Sequence, residues 1–127
     1  MNAKLSWAAD GSVLVNSVPE LDKVLDTLEE EARSGEPFIV QLILPNGDMG
    51  MGLGENETVL DFISGSEKPP YYSSTGGRGN SNLVFYYYGS WSEFTPDQAV
   101  PLALGREAMR YFLVNGTLAP FVAWVEV

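Results

Sequence analysis

The chain has 127 residues, 45% hydrophobic and 19% charged, a globular composition on the scale of one domain, 1–127. Its net charge of −10 excludes direct nucleic-acid binding by the usual neutralisation of phosphates and predicts attraction to a basic partner. It contains neither cysteine nor histidine, which removes disulfides, thiolate and imidazole metal sites, thiol nucleophiles and the commonest general base.

Residues 4–7 and 12–15 read as short strands around the turn signal Asp10-Gly11 and predict an N-terminal hairpin. A helix follows. Ser17 is its N-cap, Glu20 completes the capping-box spacing, Pro19 falls in the first turn and Gly35 is the stop. Val18, Leu21, Val24, Leu25, Leu28 and Ala32 form one apolar stripe. Asp22, Asp26, Glu29 and Glu30 are expected mostly to face water, and the run Glu29-Glu30-Glu31 to form a solvated face.

Residues 38–44 are apolar at nearly every position, which predicts a strand covered on both faces. The segment Pro45-Asn46-Gly47-Asp48 is a turn, with Asn46-Gly47 favouring a tight hairpin. Met49, Met51 and Leu53 then alternate with Gly50, Gly52 and Gly54, giving a strand with one apolar and one bare face. The bare face is expected to admit a helix or another chain segment close to the backbone. Residues 58–63 read as a further strand. Two Gly/Pro/Ser-rich loops, 64–70 and 73–82, flank the pair Tyr71-Tyr72.

Residues 83–88 form an aromatic strand with Phe85 and Tyr87 on one face and Tyr86 and Tyr88 on the other, and residues 91–94 begin another. Thr95-Pro96-Asp97 leads to a second helix, with Pro101 in its first turn and Gly116 at its end. Residues 121–125 form a closing strand. Consecutive strands joined by short turns define an α+β fold, a mainly antiparallel sheet with two helices packed on it. No apolar run is long enough to span a bilayer and the N-terminus has no hydrophobic segment of signal length, so a cytoplasmic chain with no membrane association is expected.

Enzyme signatures fail on inspection. The run Gly50-Met51-Gly52-Leu53-Gly54 has Glu55 where a dinucleotide-binding loop needs its third glycine, and it sits in a hairpin. The loop 75–80 lacks the phosphate-binding lysine and the helix that would follow it. The acid pairs Glu55/Glu57 and Asp61/Glu93 are of a kind any acidic chain offers. Without histidine, serine catalysis would fall to Lys4, Lys23 or Lys68, none of them in a recognisable motif. No metal site, cofactor or catalytic residue is predicted.

Binding chemistry is better represented. Residues 1–67 hold 13 acids and 3 bases, whereas 12 of the 15 aromatic residues lie from Tyr71 onward. Acids of the N-terminal half, with Glu55 and Glu57 among them, are expected to steer a basic partner. Tyr71, Tyr72, Trp91 and Glu93 are expected to anchor it, because tyrosine and tryptophan bury large area at low entropic cost. Arg78 is an isolated cation on a Gly-rich loop and a candidate contact.

From Phe85 the chain reads Phe85-Tyr86-Tyr87-Tyr88-Gly89, Glu93, Val100-Pro101, a helix containing Ala108 and Phe112, then Gly116, Pro120 and Trp124-Val125-Glu126. This pattern resembles the first-described immunity family of bacterial polymorphic toxin systems, with Gly89, Pro101, Phe112, Trp124 and Glu126 as matching positions. The resemblance implies a small α+β protein paired with a cognate secreted toxin, typically a nucleic-acid deaminase; an acidic chain with no catalytic group is expected to neutralise such a toxin by binding it and occluding its active site. The alternative is a small-ligand-binding or regulatory domain using an aromatic sheet face.

Overall fold

The computed structural model describes residues 3–8, 11–65, 69–79, 81–87 and 89–127. The N-terminal hairpin is present: β1 (Ala3–Ala8) pairs antiparallel with β2 (Gly11–Val15), while Asp10 of its turn lies outside the described residues. Helix α1 (Val18–Ser34) starts as expected. Ser17 Oγ accepts from the Glu20 N–H at 3.3 Å, and Glu20 Oε1 accepts from the Asn16 N–H at 3.1 Å. Its apolar stripe buries Leu21, Leu25, Leu28 and Ala32.

Strands β3 (Phe38–Leu44) and β4 (Gly47–Leu53) pair through their full length. The hairpin loop is Pro45-Asn46, and Gly47 is already paired with Leu44, so the turn sits one residue earlier than Asn46-Gly47 suggests. Proline fixes its own φ near −65°, which rules out the primed turn that an Asn-Gly pair favours.

The predicted strand at 58–63 divides into β5 (Glu57–Thr58) and β6 (Leu60–Ser64). The break lets Val59 turn its carbonyl to the Gly52 N–H while β5 leaves to pair elsewhere. Strand β7 (Tyr71–Ser74) takes in Ser73 and Ser74, expected to be loop, because it is clamped between β6 and the C-terminal strand. The aromatic hairpin is β8 (Leu83–Tyr87) and β9 (Ser90–Phe94); Tyr88 lies outside the described residues. A 3-10 turn (Pro96–Gln98) and β10 (Val100–Pro101), paired with β5, precede α2 (Leu102–Asn115). Pro101 is the N-cap of α2, and Gly116 ends it at φ 71°, the left-handed geometry glycine allows. The closing strand β11 (Trp124–Glu126) is shorter than expected and shifted toward the C-terminus.

The main sheet runs β11-β7-β6-β4-β3-β1-β2 and is antiparallel throughout that path. The β8–β9 hairpin joins it through one parallel contact, Phe38 with Tyr86, at the end of β3 that β1 does not reach. Two hairpins therefore fork from the same side of β3. The fold is α+β, a mainly antiparallel sheet with two helices packed on it.

Strand alternation explains both faces. Val40, Leu42, Met49, Met51, Leu53 and Leu60 pack beneath α1 and α2 with Phe112, Met109, Leu25 and Leu21 in the larger core. Ile39, Val59, Leu83, Phe85 and Ala99 form a second cluster on the opposite face, made concave where the β8–β9 hairpin curls over the glycine side of β4. That face admits a chain segment, as the alternating glycines predict: the Phe85 ring fills the space over Gly52, and the Asp61 carboxylate lies over Gly50.

The helix acids are not simply solvated. Asp22 accepts from Arg110 Nε at 2.8 Å, and Asp26 accepts from Arg106 Nη2 at 2.9 Å, tying α1 to α2. Glu29 corrects the expectation of a wet acidic run. It is half-buried, accepts the Gly54 N–H at 2.8 Å and pairs with Arg33 at 3.1 Å, because the end of β4 presents an N–H with no strand partner there. Glu30 and Glu31 are exposed.

Candidate functional site

The outer face of the β8–β9 hairpin exposes a group of large apolar side chains on a regular element. The cross-strand pairs Tyr86–Trp91 and Val84–Glu93 place these four side chains on one face. Trp91 is 51% exposed, Val84 41% and Tyr86 39%. The Tyr86 and Trp91 rings meet edge to face with centroids 5.4 Å apart, which holds both rings in place before any partner arrives. Glu93 Oε2 accepts from Asn82 Nδ2 at 2.8 Å and is exposed. Gly89 turns the hairpin at φ 90°, so the two strands of the patch are joined tightly.

The patch continues into the fork between the two hairpins. A hollow of about 470 Å³ there is walled by Trp7 from β1 and Tyr86 from β8, with Phe38 beneath and Glu31, Gly35 and Glu36 along its rim. A neighbouring hollow of about 480 Å³ shares Trp7 and Glu31 and runs between β2 and α1, past Val13, Leu14, Glu20 and Lys23. Leu14 is 68% exposed on the free edge of β2. Aromatic and aliphatic surface is thus flanked by Glu20, Glu31, Glu36 and Glu93, with Lys23 the base lining these hollows.

The other residues singled out in the sequence fall elsewhere. Tyr71 and Tyr72 are consecutive on β7 and take opposite faces. Tyr71 lines a cleft on the concave face; Tyr72 borders the same cleft but lies toward the helix face, its ring tilted against Phe62 with centroids 6.4 Å apart. The structure brings Trp91 and Glu93 together on one face but does not unite them with both tyrosines. Glu55 is half-buried beside α1, its carbonyl accepting from Arg33 Nη2 at 3.2 Å. Glu57 is half-buried under the loop that carries Arg78, close to Gly79. Arg78 is exposed, and the loop under it is tied down by the Gly77 N–H donating to the Asp97 carbonyl at 2.9 Å. The pair Asp61/Glu93 is split between the concave face and the outer face of the hairpin, where no shared chemistry is possible.

Three residues of the family pattern, Pro101, Phe112 and Trp124, hold the fold. Phe112 is fully buried and meets Phe62 edge to face at 5.7 Å. Trp124 donates its indole N–H to the Ala119 carbonyl at 2.9 Å and packs on the larger core. Pro101 pairs with Glu57 in the small sheet, and Glu126 lies exposed across from Tyr72.

Sequence reasoning missed the contribution of Trp7, Phe38 and Leu14 to this surface. Their position follows from the forked sheet, which no local signal announces. It also missed the cleft on the concave face, of about 530 Å³, whose floor carries Asp48 and Asp61. Asp61 Oδ1 accepts the Gly50 N–H at 3.2 Å. Its carboxyl is pushed up to about 6, first by burial and further by the neighbouring charge of Asp48, with the Gly50 hydrogen bond opposing both. Among the described residues no group of three or more acids is placed to hold a metal ion, and no helix is long and apolar enough to cross a membrane.

Fold and surface define an α+β protein whose exposed chemistry is aromatic and acidic. A family model for the immunity protein Imm1 matches residues 9–126, and the chain belongs to that immunity-protein family. Members of such a family have a cognate toxin as partner, and toxin neutralisation is the activity the family indicates. The sequence matches no curated protein.

Proposed function

We propose that this protein neutralises a secreted nucleic-acid deaminase in the cytoplasm of the producing cell, by docking on the toxin domain and closing its active site to substrate. The observation that carries the reading is the preformed Tyr86–Trp91 pair, exposed on the hairpin and continuous with the acid-rimmed fork at Trp7. Aromatic anchors with a charged rim are the usual anatomy of a tight interface. An enzyme that acts on nucleic acid is basic around its substrate groove, so a chain of net charge −10 is drawn toward that groove. Inhibition of this kind needs surface complementarity and no catalytic group.

Co-expression with the toxin domain encoded beside it tests the proposal. Survival of the host and co-purification of a one-to-one complex are the expected result. Death of the host with no complex, from a toxin shown to be active, would reject the pairing. The concave cleft favours a second reading, a small-ligand domain, and the two are compatible because they use opposite faces of the sheet.

A further inference from the structure

We propose that the concave face carries a separate binding site, the cleft between β6–β7 and the β8–β9 hairpin, for a small organic cation with a guanidinium or amine head. The volume of about 530 Å³ lies in the range of small-molecule sites, roughly 300–1,000 Å³. Its walls are aromatic, from Tyr71 on β7 and Tyr87 and Phe94 on the hairpin. Its floor is acidic, and none of the described residues lining it is basic.

The floor is built for a carboxylate. A Cβ at position 50 would stand 2.4 Å from Asp61 Oδ1, so the missing side chain of Gly50 is what allows Asp61 to lie flat on the sheet. The Gly50 N–H fixes one carboxylate oxygen. Asp48 lies on the same face of β4, across from Ile63, and adds a like charge. Among the described residues, the other charged side chain on this side of the sheet nearby is Lys4 on β1, which is paired with Ile43 and separated from Asp48 by that strand.

A neutral apolar occupant would strip water from Asp61 and give nothing in return. A cation would pair with the carboxylate while its apolar stem and flat head lie against the rings. Burial that opposes ionisation of Asp61 would be offset by that charge, so occupancy and ionisation favour one another.

Calorimetric titration of the whole protein at pH 7.5 with n-butylguanidinium, and with the neutral isostere n-butylurea, tests the site. Saturable binding of the cation, at least about ten-fold tighter than the urea, is expected. Asp61→Asn keeps the acceptor for the Gly50 N–H and should weaken the cation at least about ten-fold with an unchanged far-UV circular dichroism spectrum. Tyr71→Leu, which removes a wall and leaves the charge, should weaken it as well and serves if Asp61→Asn does not fold. Absence of saturation by about 10 mM, equal affinity for the urea, or unchanged binding by the folded variants would overturn the proposal. Toxin neutralisation by Asp61→Asn should be unaffected, so failure here is distinguishable from failure of the immunity reading.

Discussion

The ring of Phe85 occupies the space in which a side chain on Gly52 would stand: a Cβ there would lie 2.4 Å from Phe85 Cζ. This contact is what lets the β8–β9 hairpin close over β4 and bury the second cluster with Ile39 and Val59. Gly52→Ala should therefore destabilise by about 1–3 kcal/mol through overpacking, and Phe85→Leu by a comparable amount through loss of ring volume. The two changes combined should cost less than their sum, because each relieves the other. Urea denaturation of the two single variants and the double variant measures the coupling, and strict additivity would contradict this account of the glycine face.

Asp61 makes stability depend on pH in an unusual direction. Its folded-state carboxyl titrates near 6, above the ordinary aspartate value, so the folded protein holds this proton more tightly than the unfolded chain does. The destabilisation is fully present above about pH 6 and fades as pH falls through 6 toward 4. Asp61→Asn should be more stable than the wild type by about 1–3 kcal/mol at pH 8, with the difference vanishing near pH 4. Equal stability of the two proteins at pH 8 would contradict the burial of this carboxylate.

Asp22 joins the two helices through Arg110 Nε at 2.8 Å and, more distantly, Arg106 Nη2 at 3.6 Å. Both guanidinium groups are largely covered, Arg106 being 15% exposed at its side chain. Asp22→Ala should cost about 1–2 kcal/mol, more than a surface ion pair, because it removes a partner from two half-buried cations at once. Asp26→Ala, at a side chain 72% exposed, should cost under about 0.5 kcal/mol. Thermal unfolding of the two variants separates these cases.

Local signals marked most elements but not their arrangement. Ser17 and Gly35 bracket α1, the Met/Gly alternation marks β4 and its bare face, and Phe85 and Tyr86 fall on opposite faces of β8, all from local chemistry. Strand β7 was hidden because Ser73 and Ser74 have loop propensity. They become strand only through pairing with β6 and β11 and through Ser74, whose Oγ accepts the Leu60 N–H and donates to the Gln98 carbonyl. The same holds for the surface. Trp91 and Glu93 share a face by strand periodicity, which a sequence displays. Trp7 joins Tyr86 only because two hairpins fork from β3, a long-range fact that no window of residues contains. Tyr71 and Tyr72, adjacent and alike in chemistry, are parted by the same periodicity.

Electrostatic steering predicts a particular salt response. If acids around the fork guide encounter, Glu31→Lys with Glu36→Lys should slow association with the toxin domain several-fold at low ionic strength, and the difference should shrink by 0.5 M salt, where screening is short-ranged. Stopped-flow association rates measure it, and a salt-independent deficit would assign these residues a contact role instead.

The most direct test is inhibition of the purified toxin domain by wild-type protein and by a Tyr86→Ala, Trp91→Ala double variant, with circular dichroism confirming the fold. Both side chains are exposed, so the fold should survive their loss. The account predicts that the double variant inhibits at least a hundred-fold less well, as expected for two aromatic anchors of about 2 kcal/mol each. Inhibition equal to that of the wild type would contradict it and place the toxin on another face of the protein.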